Sequence, residues 1–91
     1  MKIEYDLAKS EKNREKRGLP FEMAHDFDWQ TAQYAEDTRH EYPERRFVAV
    51  GFLTDRLHVL CFTPITGGVR IISFRKANQR EIKRYETADQ S

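Results

Sequence analysis

The chain has 91 residues, 38% of them hydrophobic and 34% charged, with 16 Lys and Arg against 15 Asp and Glu for a formal net charge of +1. That length holds one small domain, residues 1–91, and no second core, while the near balance of charge gives no global argument for nucleic acid, so any such argument rests on where the charges lie. The lone cysteine, Cys61, has no intrachain disulfide partner and fits a reducing environment; with no segment near the ~20 apolar residues of a membrane-crossing helix and no apolar signal core in Met1-Lys2-Ile3-Glu4, a cytoplasmic protein without membrane contact is expected.

In chain order, Lys2 to Tyr5 reads as a short strand. Asp6 is placed to cap a helix over Leu7 to Arg17, and Gly18 to end it. Leu7 and Ala8 are almost the only apolar residues of that helix, so it belongs on the surface. Pro20 opens a second short helix, Phe21 to Phe27, with Phe21, Ala24 and Phe27 at helical spacing. A weak strand over Thr31 to Glu36 and a polar loop, Asp37 to Pro43, precede three stronger strands: Arg45 to Leu53, Leu57 to Ile65 and Val69 to Lys76. Thr54-Asp55-Arg56 and Thr66-Gly67-Gly68 are short enough to be hairpin turns, which makes these strands an antiparallel meander. Cys61 lies in the apolar run Leu57 to Phe62 and reads as a small buried hydrophobe rather than a nucleophile. The last helix begins with a capping pair, Asn78 and Glu81, and carries Ile82 and Tyr85 on its packing face. The fold class is therefore α+β: a small antiparallel sheet with two N-terminal helices and a C-terminal helix.

The charges are not evenly spread. Val69 to Glu86 contains Arg70, Arg75, Lys76, Arg80, Lys83 and Arg84 against only Glu81 and Glu86, whereas Asp26 to Asp37 has four acids and no cation. An anionic ligand at the first region is the natural expectation, with a basic partner at the second. Regular strand alternation puts Arg70, Ile72, Phe74 and Lys76 on one face and Val69, Ile71, Ser73 and Arg75 on the other, which separates the two arginines. Arg80, Lys83 and Arg84 form a stripe along the last helix, the arrangement of a phosphate contact and equally of an ordinary solvated face. One Cys and three separated His offer no usual metal-ligand spacing, and no Gly-rich loop passes from a strand into a helix. No cofactor is expected.

Three segments together resemble the BrnT family of type II toxin-antitoxin ribonucleases. The first is Asp6, Ala8, Lys9, Asn13, Lys16 and Gly18 followed by Phe21, Glu22, Ala24, Phe27 and Asp28; the second is Glu44-Arg45-Arg46-Phe47 with Gly51; the third is Arg70-Ile71-Ile72-Ser73 with Arg75-Lys76-Ala77, Arg80, Glu81 and Tyr85. The chain departs from the family pattern at Arg17, where many members carry His, at Arg14, often apolar, at Tyr5, commonly Trp, and at Phe74, commonly a small residue. The resemblance implies the fold of the RelE and ParE toxins and metal-independent RNA cleavage, in which the 2′-hydroxyl attacks the adjacent phosphate. It also implies a ribbon-helix-helix antitoxin of the BrnA kind, in a toxin-antitoxin hetero-oligomer, with promoter DNA touched only through the antitoxin.

Such a reaction needs a cationic cradle, a base and an acid. Arg70, Arg75 and Arg80 are the first candidates for the cradle, because a guanidinium binds two phosphate oxygens and keeps its proton. Glu44 and His40 are the candidates for proton transfer, His40 from a polar loop and Glu44 from among arginines. Lys76, Arg46, Lys83, Arg84 and Tyr85 are candidate RNA contacts, although Tyr85 is in phase with Ile82 and suits helix packing better. His25 and His58 fall in helix and strand patterns and are not expected to act. The competing expectation keeps the fold but drops catalysis, leaving a module that binds nucleic acid or antitoxin in autoregulation.

Overall fold

A computed structural model of the chain describes residues 1–89. Its elements are β1 (Lys2–Glu4), α1 (Leu7–Arg17), a 3-10 helix (Phe21–Asp26), β2 (Gln33–Glu36), β3 (Phe47–Leu53), β4 (Arg56–Ile65), β5 (Gly68–Lys76) and α2 (Gln79–Asp89). The caps expected from the sequence form: Asp6 accepts from the Lys9 N–H, Gly18 takes the left-handed conformation, and Asn78 and Glu81 each accept the other's backbone N–H at 2.9 Å. The segment expected as a second α-helix is a 3-10 helix instead. It has no side-chain cap at Pro20, and six residues are too few to gain much from α-helical propagation.

The five strands run in the order β1-β5-β4-β3-β2. β2 to β5 form the expected antiparallel meander, but β1 joins β5 in parallel, so the sheet is mixed rather than antiparallel. Gly68 makes that parallel contact possible, since a Cβ there would overlap the Lys2 carbonyl oxygen. Gly68→Ala is accordingly expected to push β1 off the edge of β5 and cost about 1–3 kcal/mol, read as a lower urea midpoint with faster amide exchange at Ile3 and Glu4. Both hairpin loops are tighter than expected, with two residues each, Thr54-Asp55 and Thr66-Gly67.

β5 departs from a regular strand. Cys61 pairs with Ser73 and Phe62 with Ile71, which leaves Ile72 as an extra residue in a β-bulge. Beyond the bulge the alternation is out of step with a regular strand. Val69, Ile71 and Phe74 share one face, where they are buried with Ala49, Leu53, Leu60 and Phe62 under Leu19, Phe21, Ala24 and Phe27. Arg70, Ser73 and Arg75 share the other. The two arginines that regular alternation separates are therefore on the same side of the sheet.

That second side carries α2 at one end of the sheet. α2 docks on it through Ile82 and Tyr85, which pack with Val48, Val50, Phe52, Leu57, Val59 and Ala77 at the end nearest the β3-β4 hairpin. α1 lies along the outer edge of β5 beyond the end of β1, where Asn13 Nδ2 donates to the carbonyls of Leu19 at 2.7 Å and Phe74 at 2.9 Å. Only Ser10 of α1 is buried, in keeping with its polar sequence.

Candidate active site

Strand pairing lines up a row of polar side chains across the α2 face beyond α2, with Thr63 buried at its centre. Glu4 of β1 is paired with Arg70 of β5, and Arg70 with Thr63 of β4. Arg46, the residue before β3, continues the row: Thr63 Oγ1 donates to the Arg45 carbonyl at 3.0 Å, and the Asp37 N–H donates to the Arg46 carbonyl at 2.8 Å. Arg46 and Arg70 thus flank Thr63, with backbones roughly 10 Å apart as two strand spacings require. Such a gap lets two guanidinium groups close on one phosphate.

The two arginines are held differently. Among the described residues Arg70 makes only long ion pairs, at 3.6 Å to Glu4 and 3.7 Å to Glu44, and its side chain is 46% exposed, so its N–H donors remain available. The Arg46 guanidinium lies 4.1 Å above the Tyr42 ring, and its Nε is buried without a hydrogen-bond partner among the described residues. Tyr42 is fixed in turn, since its hydroxyl donates to Asp37. The Asp37 side chain, only 3% exposed, takes two further bonds from the Arg39 guanidinium at 2.9 Å. Those bonds hold the Asp37 carboxyl far below the ordinary carboxylate range, making it a permanent anion that orders the loop and not a proton carrier.

Glu44 and His40 belong to this loop. They line, with Asp37, Tyr42 and Arg46, a depression of about 440 Å³, and the His40 ring meets the edge of Tyr42 at 5.8 Å. Glu44, Arg70 and Arg46 are thus brought together, with His40 in the same hollow. Arg75 shares the face but is occupied, because Glu81 accepts from both its terminal nitrogens at 2.8 and 2.7 Å. Their bonding raises the Arg75 pKa and lowers that of Glu81. Since Glu81 also closes the α2 cap, Arg75 clamps α2 to the sheet.

Other expected contacts lie elsewhere. Arg80, Lys83 and Arg84 form an exposed stripe on α2, bordered by Thr87 and Ala88, and Arg80 takes part in no ion pair or hydrogen bond among the described residues. Lys76 pairs with His58 on the opposite side of the sheet from Arg70. Tyr85 is 6% exposed and its hydroxyl donates to the Thr31 carbonyl, so it packs α2 rather than presenting a ring to a base. Cys61 sits in the floor beside the row, but burial pushes its thiol pKa up and works against a nucleophilic thiolate.

His58 is 4% exposed, packs on Phe74, and has Nδ1 2.8 Å from the Arg56 carbonyl, so Nδ1 carries the proton. Burial lowers its pKa from 6.5. The unfolded chain therefore binds this proton more readily than the folded one, and the stability from the neutral ring is present above pH 6.5 and lost as pH falls from there through the folded-state value. Melting temperatures between pH 7.5 and 5 should drop less in His58→Phe than in the parent.

The sequence reading missed Thr63, Ser73 and Glu4 as members of this face, and the Asp37-Arg39-Tyr42 scaffold beneath Arg46. Hairpin register alone would have placed Thr63 opposite Arg46. Nothing in the sequence marks the bulge at Ile72. Among the described residues no three His, Cys, Asp or Glu side chains gather in a way that could hold a metal ion, and no helix is long and apolar enough to cross a membrane.

A family model described as ribonuclease toxin, BrnT, of type II toxin-antitoxin system matches residues 5–81. No curated protein and no solved structure matches the chain.

Proposed function

The chain belongs to the BrnT family of ribonuclease toxins of type II toxin-antitoxin systems, and on that premise we propose that it cuts RNA by a metal-independent reaction centred on the Arg46-Thr63-Arg70 row. The observation that carries this reading is the pair of arginines flanking Thr63, Arg70 in long ion pairs and 46% exposed, Arg46 with its guanidinium held over the Tyr42 ring. A phosphodiester seated between them has its non-bridging oxygens facing guanidinium N–H groups, which oppose the charge that builds up at phosphorus in the transition state.

Glu44 takes the proton of the 2′-hydroxyl as the 2′-oxygen bonds to phosphorus. The bond from phosphorus to the 5′-oxygen breaks, and His40 supplies the proton that oxygen needs. The products are a 2′,3′-cyclic phosphate and a 5′-hydroxyl end, and no other reactant is required. Arg75 acts by positioning α2 against the site, and Arg80, Lys83 and Arg84 contact RNA phosphates away from the bond that breaks.

The same reading takes the fold as that of the RelE and ParE toxins, places the protein in the cytoplasm, and gives it a ribbon-helix-helix antitoxin of the BrnA kind that carries the complex to promoter DNA. The noncatalytic alternative draws on the carboxylates already near the cations: Glu81 saturates Arg75, and Glu4 and Glu44 both approach Arg70. Induced expression with and without the neighbouring gene product separates the two. Growth arrest that the neighbour relieves supports the toxin; undisturbed growth at a confirmed expression level supports the binding module.

A further inference from the structure

The cations of α1 are sorted by side. Glu11 and Arg14 form an ion pair on one flank of the helix, with Glu15 adding to the field on Arg14. Lys9, Lys12 and Lys16 fall on the other, at spacings of three and four residues, with Arg17 next to Lys16, and among the described residues their side chains make no ion pair or hydrogen bond. They line a shallow groove of about 190 Å³ whose opposite wall is Ile72 and Ser73 of β5.

Two features of this flank work against the stability of the helix by itself. Like charges three and four residues apart repel by about 0.2–0.5 kcal/mol per pair. In addition, the first turn of α1 holds no acid and does hold Lys9, so the Asp6 cap alone sets a carboxylate against the positive end of the helix dipole. Lys16 and Arg17 in the last turn suit the dipole, but Lys9 and Lys12 have no such explanation. Their lining of a common groove provides one, if an anion fills it.

Ser73 places that groove beside the arginine row. It belongs both to the groove wall and to the sheet face that carries Arg70, so the groove opens onto the cradle at the β5 edge. A strand of RNA with one phosphate between Arg46 and Arg70 can pass over Ser73 and lay its neighbouring phosphates along the lysines. We propose that Lys9, Lys12 and Lys16, with Arg17, form a track for the RNA backbone beside the cut site. The proposal rests on the ribonuclease reading above and extends it, since the α1 residues bind and orient the strand without touching the reacting atoms.

The test uses the full chain and a short fluorescent single-stranded RNA, fully 2′-O-methylated so that it binds without being cut. Affinity is measured across a salt series for the parent, for K9Q/K12Q/K16Q, and for the single charge reversal Lys12→Glu. Loss of three phosphate contacts should lower the slope of log K against log salt by roughly 2, at about 0.7 per contact, and weaken binding at least tenfold at low salt. Lys12→Glu should weaken it in the same direction. Gln keeps helix propensity and removes repulsion, so melting should be unchanged or higher and loss of fold would not explain the result.

An unchanged slope in the triple variant overturns the track. So does a variant that keeps RNA affinity but no longer holds the antitoxin, because the groove then belongs to an acidic protein segment. If the parent neither binds this RNA nor cuts the unmodified one, the ribonuclease reading falls and the track with it. Cutting by the parent together with an unchanged slope in the variant sinks the track alone.

Discussion

Arg70→Ala is expected to leave a folded protein that binds its antitoxin and has lost RNA cleavage by about 10²–10³-fold, the usual cost of removing one preorganised donor from a developing anion. The side chain can be removed safely because it is 46% exposed and its two ion pairs, at 3.6 and 3.7 Å, contribute little. Arg70→Lys should recover only part of the rate, since an ammonium keeps the charge without the two-pronged geometry. Arg75→Ala makes the contrast. It breaks a bidentate bond to Glu81 and loosens α2, so its first effect should be on thermal stability, with activity falling alongside. A chain in which Arg70→Ala cuts RNA at the parental rate does not work as proposed.

Phe74→Ala should have the largest effect on stability. Phe74 is 1% exposed, is one of the two largest fully buried side chains, and meets Phe27 at 6.2 Å and His58 at 5.7 Å edge to face. Truncating such a ring costs about 3–5 kcal/mol, against a total of about 5–14 kcal/mol for a domain this size. Urea unfolding should show the midpoint collapsing with the slope unchanged, while Phe74→Leu should retain a cooperative transition. Ile82→Ala, at the half-buried α2 interface, is the gentler comparison.

Local signals in the sequence located most of the architecture. Asp6, Gly18, Asn78 and Glu81 cap the helices as their types require, and the two hairpins follow from Thr54-Asp55 and Thr66-Gly67. Two features were not legible, both of them non-local. β1 pairs in parallel with a strand more than sixty residues away, a choice made by the space left at Gly68 and not by anything in Lys2 to Glu4 itself. The bulge at Ile72 is decided by which register buries Phe74 along with Val69 and Ile71, and alternation counted along one strand cannot reveal it.

The site suffered most from that second omission. A regular β5 separates Arg70 from Arg75, whereas the bulged strand brings them to one face. Glu44 beside Arg70 and His40 near Arg46 were foreseeable as residues with suitable chemistry, but the loop that gathers them depends on Asp37 binding Arg39 and Tyr42. Arg80 lies on the outer flank of α2, and Tyr85 lies beneath it in the packing role that its phase with Ile82 suits.

The ends of the RNA fragments reveal the chemistry of the cut. Purified protein is incubated with naked RNA in excess EDTA, and the fragments are examined for their termini. Undiminished cleavage is expected, leaving 2′,3′-cyclic phosphate and 5′-hydroxyl ends that are absent from a parallel reaction with Arg70→Ala. Fragments bearing 5′-phosphate ends, or cleavage abolished by EDTA, would contradict this chemistry.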